Sequence, residues 1–379
     1  MPRTSEPVLG ALHLRTWALR VLSSAGSPPP PPPVSREGWG LFLRVERCAL
    51  ALAARGAGPD DPAGSQAIRA RAVDESRSIL SARAELRRLG EAVRGPGLSL
   101  VVLKGAAPLL YGGRQVPMQD VDVLGTPATA RAVAEALDRS GFQGQGRAAS
   151  HRLAVRTQEA GLPVEIHTTA PGLPPAALDR AVPVPHSPLR VLHPADHLLH
   201  LLVHSAVHHP DRRGRLRDLL LIADAVARCA PGDLDAVRAA AALEAQAGPV
   251  TAQLELASAI ANGAEAEVDG FALTAAGSYL MTEAFPRWGL RGAVLEYAWL
   301  AGGAAVAARS GAPSARGAHT LGIASAVAPL AWLRRHAPRA EQAARVLLRR
   351  GREWALLLPV GLFIARAAER AVRETQGAG

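Results

Sequence analysis

The sequence predicts an α+β protein, a small α/β unit flanked by N-terminal and C-terminal helical regions. Three observations carry this expectation. Residues 39–94 and the stretch after Pro188 place apolar side chains every three or four positions, the period of a helix with one buried face. Between them, "LSLVVL", "MQDVDVLG" and "VEIHTT" are short β-rich runs bounded by turn residues. The chain has 379 residues, enough for two domains and at least one sizeable core.

Taken in order, "SPPPPPPVS" (Ser27–Ser35) is a polyproline tract that must run extended. Residues 1–38 are therefore expected to be a Pro-rich tail or loosely packed segment. A helical region over 39–97 follows, made of "LFLRVERCALALAARG" and "AIRARAVDESRSILSARAELRRLGEAV" and broken at "GPDDPAGS". Residues 98–187 form the α/β unit. Within it, 98–170 reads β-α-β-α-β-β, and "HRLAVRTQ" and "VEIHTT" make a hairpin. Residues 188–379 return to helix, with breaks near "APGD", "GAPSARG" and "HAPR".

Composition narrows the function classes. The net charge of +10 and a pI near 10.9 invite an acidic polymer as partner. The arginines are dispersed, however, and the densest runs, "DRRGRLRD" and "RVLLRRGRE", contain acids and read as solvated helix faces. Nucleic acid is therefore not the expected partner. Two cysteines exclude a disulfide framework or a structural zinc site. The longest apolar runs, "WALLLPVGLFIA" and "TLGIASAVAPLAWL", fall short of the roughly 20 residues that span a bilayer. They read as core helices, with membrane-surface contact the weaker reading. With no apolar leader and A-x-A site, a cytoplasmic location is expected. The sequence does not give an oligomeric state.

The chemistry concentrates between Leu98 and His167. Lys104 is the only lysine in the chain, and Asp120 and Asp122 follow it in a D-x-D. Alternate residues of a strand share a face, so the two carboxylates project together and repel unless a cation joins them. Oxygen donors suit Mg²⁺. Glu165 supplies a third carboxylate mid-strand, with His167 on its own face. Three carboxylates on adjacent strands are what a two-metal phosphoryl or nucleotidyl transfer site requires. His197, His200, His204 and His208 share one helix face. Without an H-E-x-x-H they are expected to pack or to line the substrate side rather than to hold zinc.

The ordered segments "VVLKGAAPLLY", "PMQDVDVL" and "VEIH", followed by "LHPADHLLHLLVHSAVHH", resemble the uncharacterised bacterial nucleotidyltransferase family, minimal members of the DNA polymerase β superfamily. The resemblance covers about residues 98–225. It implies a polymerase β-like catalytic unit in which Asp120, Asp122 and Glu165 are catalytic and hold two Mg²⁺ ions. Gly105 would open the turn where backbone N–H groups approach a triphosphate, with Lys104 as a phosphate contact; His167 is a further cofactor-binding candidate, its other reading a packed or hydrogen-bonded strand histidine. The implied reaction is Mg²⁺-dependent transfer of NMP from an NTP such as ATP to a hydroxyl or amine of a small molecule or protein, releasing pyrophosphate. Val116 stands where the family has arginine, and Gln119 where it has glycine. Arg114 is the candidate to replace that arginine. The alternative is a catalytically degenerate nucleotidyltransferase fold that serves as a binding module.

Overall fold

The computed structural model describes residues 5–58, 61–94, 98–139, 142–148, 152–157, 161–209, 213–244, 247–264, 269–284 and 370–375. The two long apolar runs, "RVLLRRGRE" and the breaks at "GAPSARG" and "HAPR" lie outside the described residues.

Helix α1 (Glu6–Ser23) departs from the expectation of a loose N-terminal segment. Val8, Ala11, Leu14, Ala18 and Val21 recur at three- and four-residue spacing and are fully buried. The proline tract carries no helix or strand and leads the chain back so that α2 (Arg36–Glu46) packs along α1. Trp17 Nε1 donates to the Pro29 carbonyl at 2.9 Å, and the Trp17 and Trp39 rings meet edge to face. Proline lacks a donor but keeps its carbonyl, so the tract can be fastened without joining any ladder.

Helix α2 starts where the Ser35 hydroxyl accepts the Gly38 N–H and ends at Arg47, whose φ of 51° is left-handed. Helix α3 (Ala49–Ala54) is capped from a distance. Glu75 of α4 (Pro62–Arg94) accepts the Ala49 and Leu50 N–H groups, which an isolated helix leaves unpaired.

A seven-stranded mixed sheet follows. In chain order it comprises β1 (Leu100–Val102), α5 (Pro108–Tyr111), β2 (Val121–Leu124), α6 (Pro127–Arg139), β3 (Phe142–Ala148), β4 (Arg152–Thr157), β5 (Val164–His167), β6 (Val182–Pro183) and β7 (Leu189–Val191). Its order is β3-β4-β5-β2-β1-β7-β6. The expected hairpin is present as the antiparallel β4–β5 pair. Three strands exceed the expected pattern. β3, "FQGQGRA", is rich in glycine and glutamine and is strand through its pairing with β4 rather than by propensity. β6 and β7 are two and three residues long, too short to show a period.

The period of two divides the sheet's chemistry cleanly. Leu100, Val102, Val121, Val123, Val164 and Ile166 face α4 and α6 and join one core with Leu86, Leu89, Val133 and Leu137. Each such side chain, fully buried, contributes roughly 1.5–3 kcal/mol. The alternate residues point to the opposite face. There Val101, Leu103 and Leu124 form a small cluster with Ala177, Ala181 and Leu192, and Asp122, Glu165 and His167 share their parity.

The C-terminal helices α7 (Pro194–Val203), α8 (Leu216–Arg228), α9 (Pro231–Ala242), α10 (Ala247–Asn262) and α11 (Ala272–Ala284) share a core with α1 and α2. One π-helical turn, His204–His208, extends α7. A buried ionic knot ties four of these helices. Glu46 accepts from Arg15 Nη1 (2.8 Å), from the Tyr279 hydroxyl (2.6 Å) and from the Leu216 N–H that opens α8 (2.7 Å). Arg15 also pairs with Asp269 at 2.5 Å. The architecture is thus the mixed α+β arrangement with helical flanks on both sides.

Candidate active site

Strands β2 and β5 run parallel in register, so Asp122 lies opposite Glu165 and Leu124 opposite His167. Ligand atoms of Asp122, Glu165 and His167 all fall within 4.8 Å of one another. His167 Nε2 is 2.7 Å from Asp122 Oδ1 and 3.8 Å from Glu165 Oε2. Lys104 Nζ donates to the same Asp122 Oδ1 at 2.9 Å. The lone lysine and the second aspartate are therefore direct partners. Burial alone would raise the Asp122 carboxyl, but the Lys104 ammonium and the His167 hydrogen bond outweigh it and hold the group far below the usual carboxylate range.

Asp120 precedes β2 in a bend rather than within the strand, because the ladder begins at Val121. It lines the same cavity, outside the cluster formed by the other three ligand atoms.

Lys104 opens a short 3₁₀ turn directly after β1, with φ at 49°. Left-handed backbone is costly for a residue with a Cβ. The turn is held by its surroundings: Leu103 N–H donates to the Asp122 carbonyl (2.9 Å), and Ala107 N–H donates to the Lys104 carbonyl (3.3 Å). A Cβ added at Gly105 would lie 3.3 Å from both Arg217 Nη2 and Val116 Cγ2. A side chain there would crowd the guanidinium, and glycine leaves it room beside the turn.

These groups open into a cavity of about 670 Å³. Helices supply its remaining wall: Arg47, Arg215 and Arg217 beside His200, His204 and His209. The three arginines were not among the sequence candidates. The run "DRRGRLRD" reads as a solvated face, whereas Arg217 is only 19% exposed and its Nε donates to the Pro117 carbonyl at 2.6 Å. Gly214, left-handed at φ 66°, turns the chain towards α8, at whose start Arg215 and Arg217 line the cavity. A glycine within a cationic run was the available signal.

Arg114 does not line this cavity; its N–H donates to Asp224 Oδ1 at 2.7 Å. Asp224 also accepts from the Tyr111 hydroxyl at 3.1 Å. Val116 is buried in the helical core, so the guanidinium nearest the turn comes from α8 and not from the segment before β2.

The histidine helix both packs and lines, as expected. His197 is buried, which pushes its pKa down to about 3, with His200 adding to the effect. His200 is lowered to about 4, again first by burial. Its Nδ1 is 2.8 Å from the Pro171 carbonyl, while its buried Nε2 has no hydrogen-bond partner among the described residues. The π turn shifts the helical register, so that His204 and His209 reach the cavity together, their rings 4.6 Å apart. Such turns recur at functional sites.

With this geometry in place, comparison with known proteins adds one finding. The model of a family described as "Uncharacterised nucleotidyltransferase" matches residues 49–261, more than half of the chain. No curated protein matches the chain, and no solved structure does. Among the described residues, no helix is long and apolar enough to cross a membrane.

Proposed function

The chain belongs to this family of uncharacterised nucleotidyltransferases, and from that premise we propose a Mg²⁺-dependent transfer of NMP from an NTP, ATP included, to an acceptor hydroxyl or amine, with release of pyrophosphate. The acceptor in this reading is a small molecule or a protein side chain. One observation carries the proposal. Asp122 and Glu165 stand abreast on parallel strands, beside the Lys104–Gly105 turn, and face one cavity.

The donor set fits a divalent cation. The carboxylate oxygens of Asp122 and Glu165 suit Mg²⁺, with Asp120 on the same cavity as a third oxygen donor and the His167 nitrogen beside them. When bound, the metal lowers the acceptor's pKa and offsets charge on the α-phosphoryl group. The chain's own residues prepare for this. Lys104 and His167 keep Asp122 ionised at neutral pH, so the carboxylate is available without prior loss of a proton. The Lys104 ammonium is assigned to the phosphates as a point charge, and Gly105 to close backbone approach. Helices α7 and α8 bound the space for the acceptor.

A second reading, a binding module without catalysis, is favoured by one specific contact. The Lys104 ammonium already occupies Oδ1 of Asp122, one of the two oxygens with which that carboxylate could bind a metal. Incubation with α-labelled NTPs and cell extract separates the two. Metal-dependent label transfer that Asp122→Asn abolishes supports the transferase. Nucleotide-induced thermal stabilisation without label transfer supports the module, and no nucleotide response at all overturns both.

A further inference from the structure

We propose that Arg47, Arg215 and Arg217 form an oxyanion-binding wall of the cavity, built to hold a phosphate or carboxylate group of a substrate. The proposal deepens the function above and rests on it for the identity of the ligand, the NTP polyphosphate or an acidic acceptor. The three guanidinium groups come from two elements remote in sequence and line one cavity. A guanidinium presents a planar fork of donors that matches phosphate and carboxylate oxygens.

The backbone is arranged around these groups. Arg47 occupies the left-handed C-cap of α2, a place where glycine is unstrained and arginine is not. Among the described residues, three non-glycine residues have positive φ, and two of them, Arg47 and Lys104, are cations on this cavity. Strain of this kind persists where surrounding structure enforces it. Here the enforcing contact is next door: Glu46 accepts the Leu216 N–H, which fastens the end of α2 to the start of α8 and sets Arg47 beside Arg215 and Arg217.

Arg217 is held in place by Pro117 and by Asp218 at 2.7 Å, with Nη2 against the Gly105 turn. The Arg47 side chain has no hydrogen bond or ion pair among the described residues. The charges around it are Arg215, Arg217 and Arg71, opposed by Asp218. Burial first, and then this like-charge crowding, lower Arg47 to about 10. An oxyanion would relieve that repulsion.

The test is calorimetric titration with inorganic pyrophosphate at neutral pH without divalent metal. Wild-type protein is expected to bind it, with affinity at least tenfold weaker in Arg47→Gly and in Arg217→Gln. Glycine suits the left-handed position, so Arg47→Gly should keep the wild-type fold, and Arg217→Gln is the independent second variant. Arg77→Gln, an exposed arginine of α4 outside the cavity, should bind pyrophosphate as wild type does. Repeating the titration with ATP and Mg²⁺ at saturation identifies the source. Lost pyrophosphate binding assigns the wall to the NTP, and persisting binding assigns it to the acceptor. No pyrophosphate binding by the wild-type protein, or wild-type affinity in either wall variant, overturns the proposal. If label transfer fails while wall-dependent binding persists, the transferase reading falls and the wall stands.

Discussion

Two clusters of buried charge, of similar size, do opposite things in this protein. Around Glu46, the carboxylate, Arg15, Asp269, Tyr279 and the first N–H of α8 close on one another inside a helical core. Around Asp122, the carboxylate meets Lys104 and His167, yet the cluster opens into a cavity of about 670 Å³. The first knot sets one guanidinium between two carboxylates, adds a hydroxyl and a helix N–H as donors, and joins four helices, so it reads as architecture. The second leaves Lys104 20% exposed and gathers carboxylates that share one face, so it reads as chemistry. Burial of charge alone does not mark a site; burial that ends at an open wall does.

The contrast can be broken from the closed side first. Glu46→Ala leaves Arg15 without one buried partner and the α8 N–H unpaired, and should cost about 3–5 kcal/mol in urea unfolding. Asp122→Asn should act on chemistry instead. Turnover of labelled NTP is expected to fall about 10²–10³-fold, or about 2.7–4 kcal/mol of transition-state stabilisation. Its loss of unfolding stability should be smaller than that of Glu46→Ala, because the released Lys104 ammonium can reach solvent in the cavity.

The histidines beside the open cluster sharpen the comparison through pH. His197 and His200, lowered to about 3 and about 4, stay neutral in the fold while the unfolded chain takes up protons below about 6.5. Their contribution is complete above pH 6.5 and is lost as pH falls towards 4, at about 1.4 kcal/mol per histidine per pH unit. Urea midpoints at pH 7.5 and 5.5 should show this loss, and His197→Asn should reduce it. The smallest effect is Arg47→Gly, which relieves a left-handed backbone and should raise stability by about 1 kcal/mol while weakening anion binding. A gain in both would contradict a functional reason for the arginine.

Much of the site was legible because strand periodicity is local. Glu165 and His167 share a face by parity alone, whereas the register of β2 against β5 is what sets Asp122 beside them, and the hairpin that delivers Glu165 was readable from its turn. The start of β2 was less so, since one residue decides whether Asp120 stands in the ladder or before it, and the Pro163 carbonyl pairing with Val121 N–H makes that choice. β3 was hidden because its residues carry little strand preference of their own.

The sequence by itself determined the helical flanks, the mixed α/β centre, the family and the acidic face of β2 and β5. Each follows from patterns within a few residues or from motifs in order. Only the tertiary structure decided that residues 6–23 belong to the core, that Lys104 pairs with Asp122, and that Arg47 meets Arg215 and Arg217. Glu46 and Leu216 are 170 residues apart, and no local period records a contact of that range. It exists because a buried carboxylate must be satisfied, and folding brought an arginine, a tyrosine and a helix end to satisfy it.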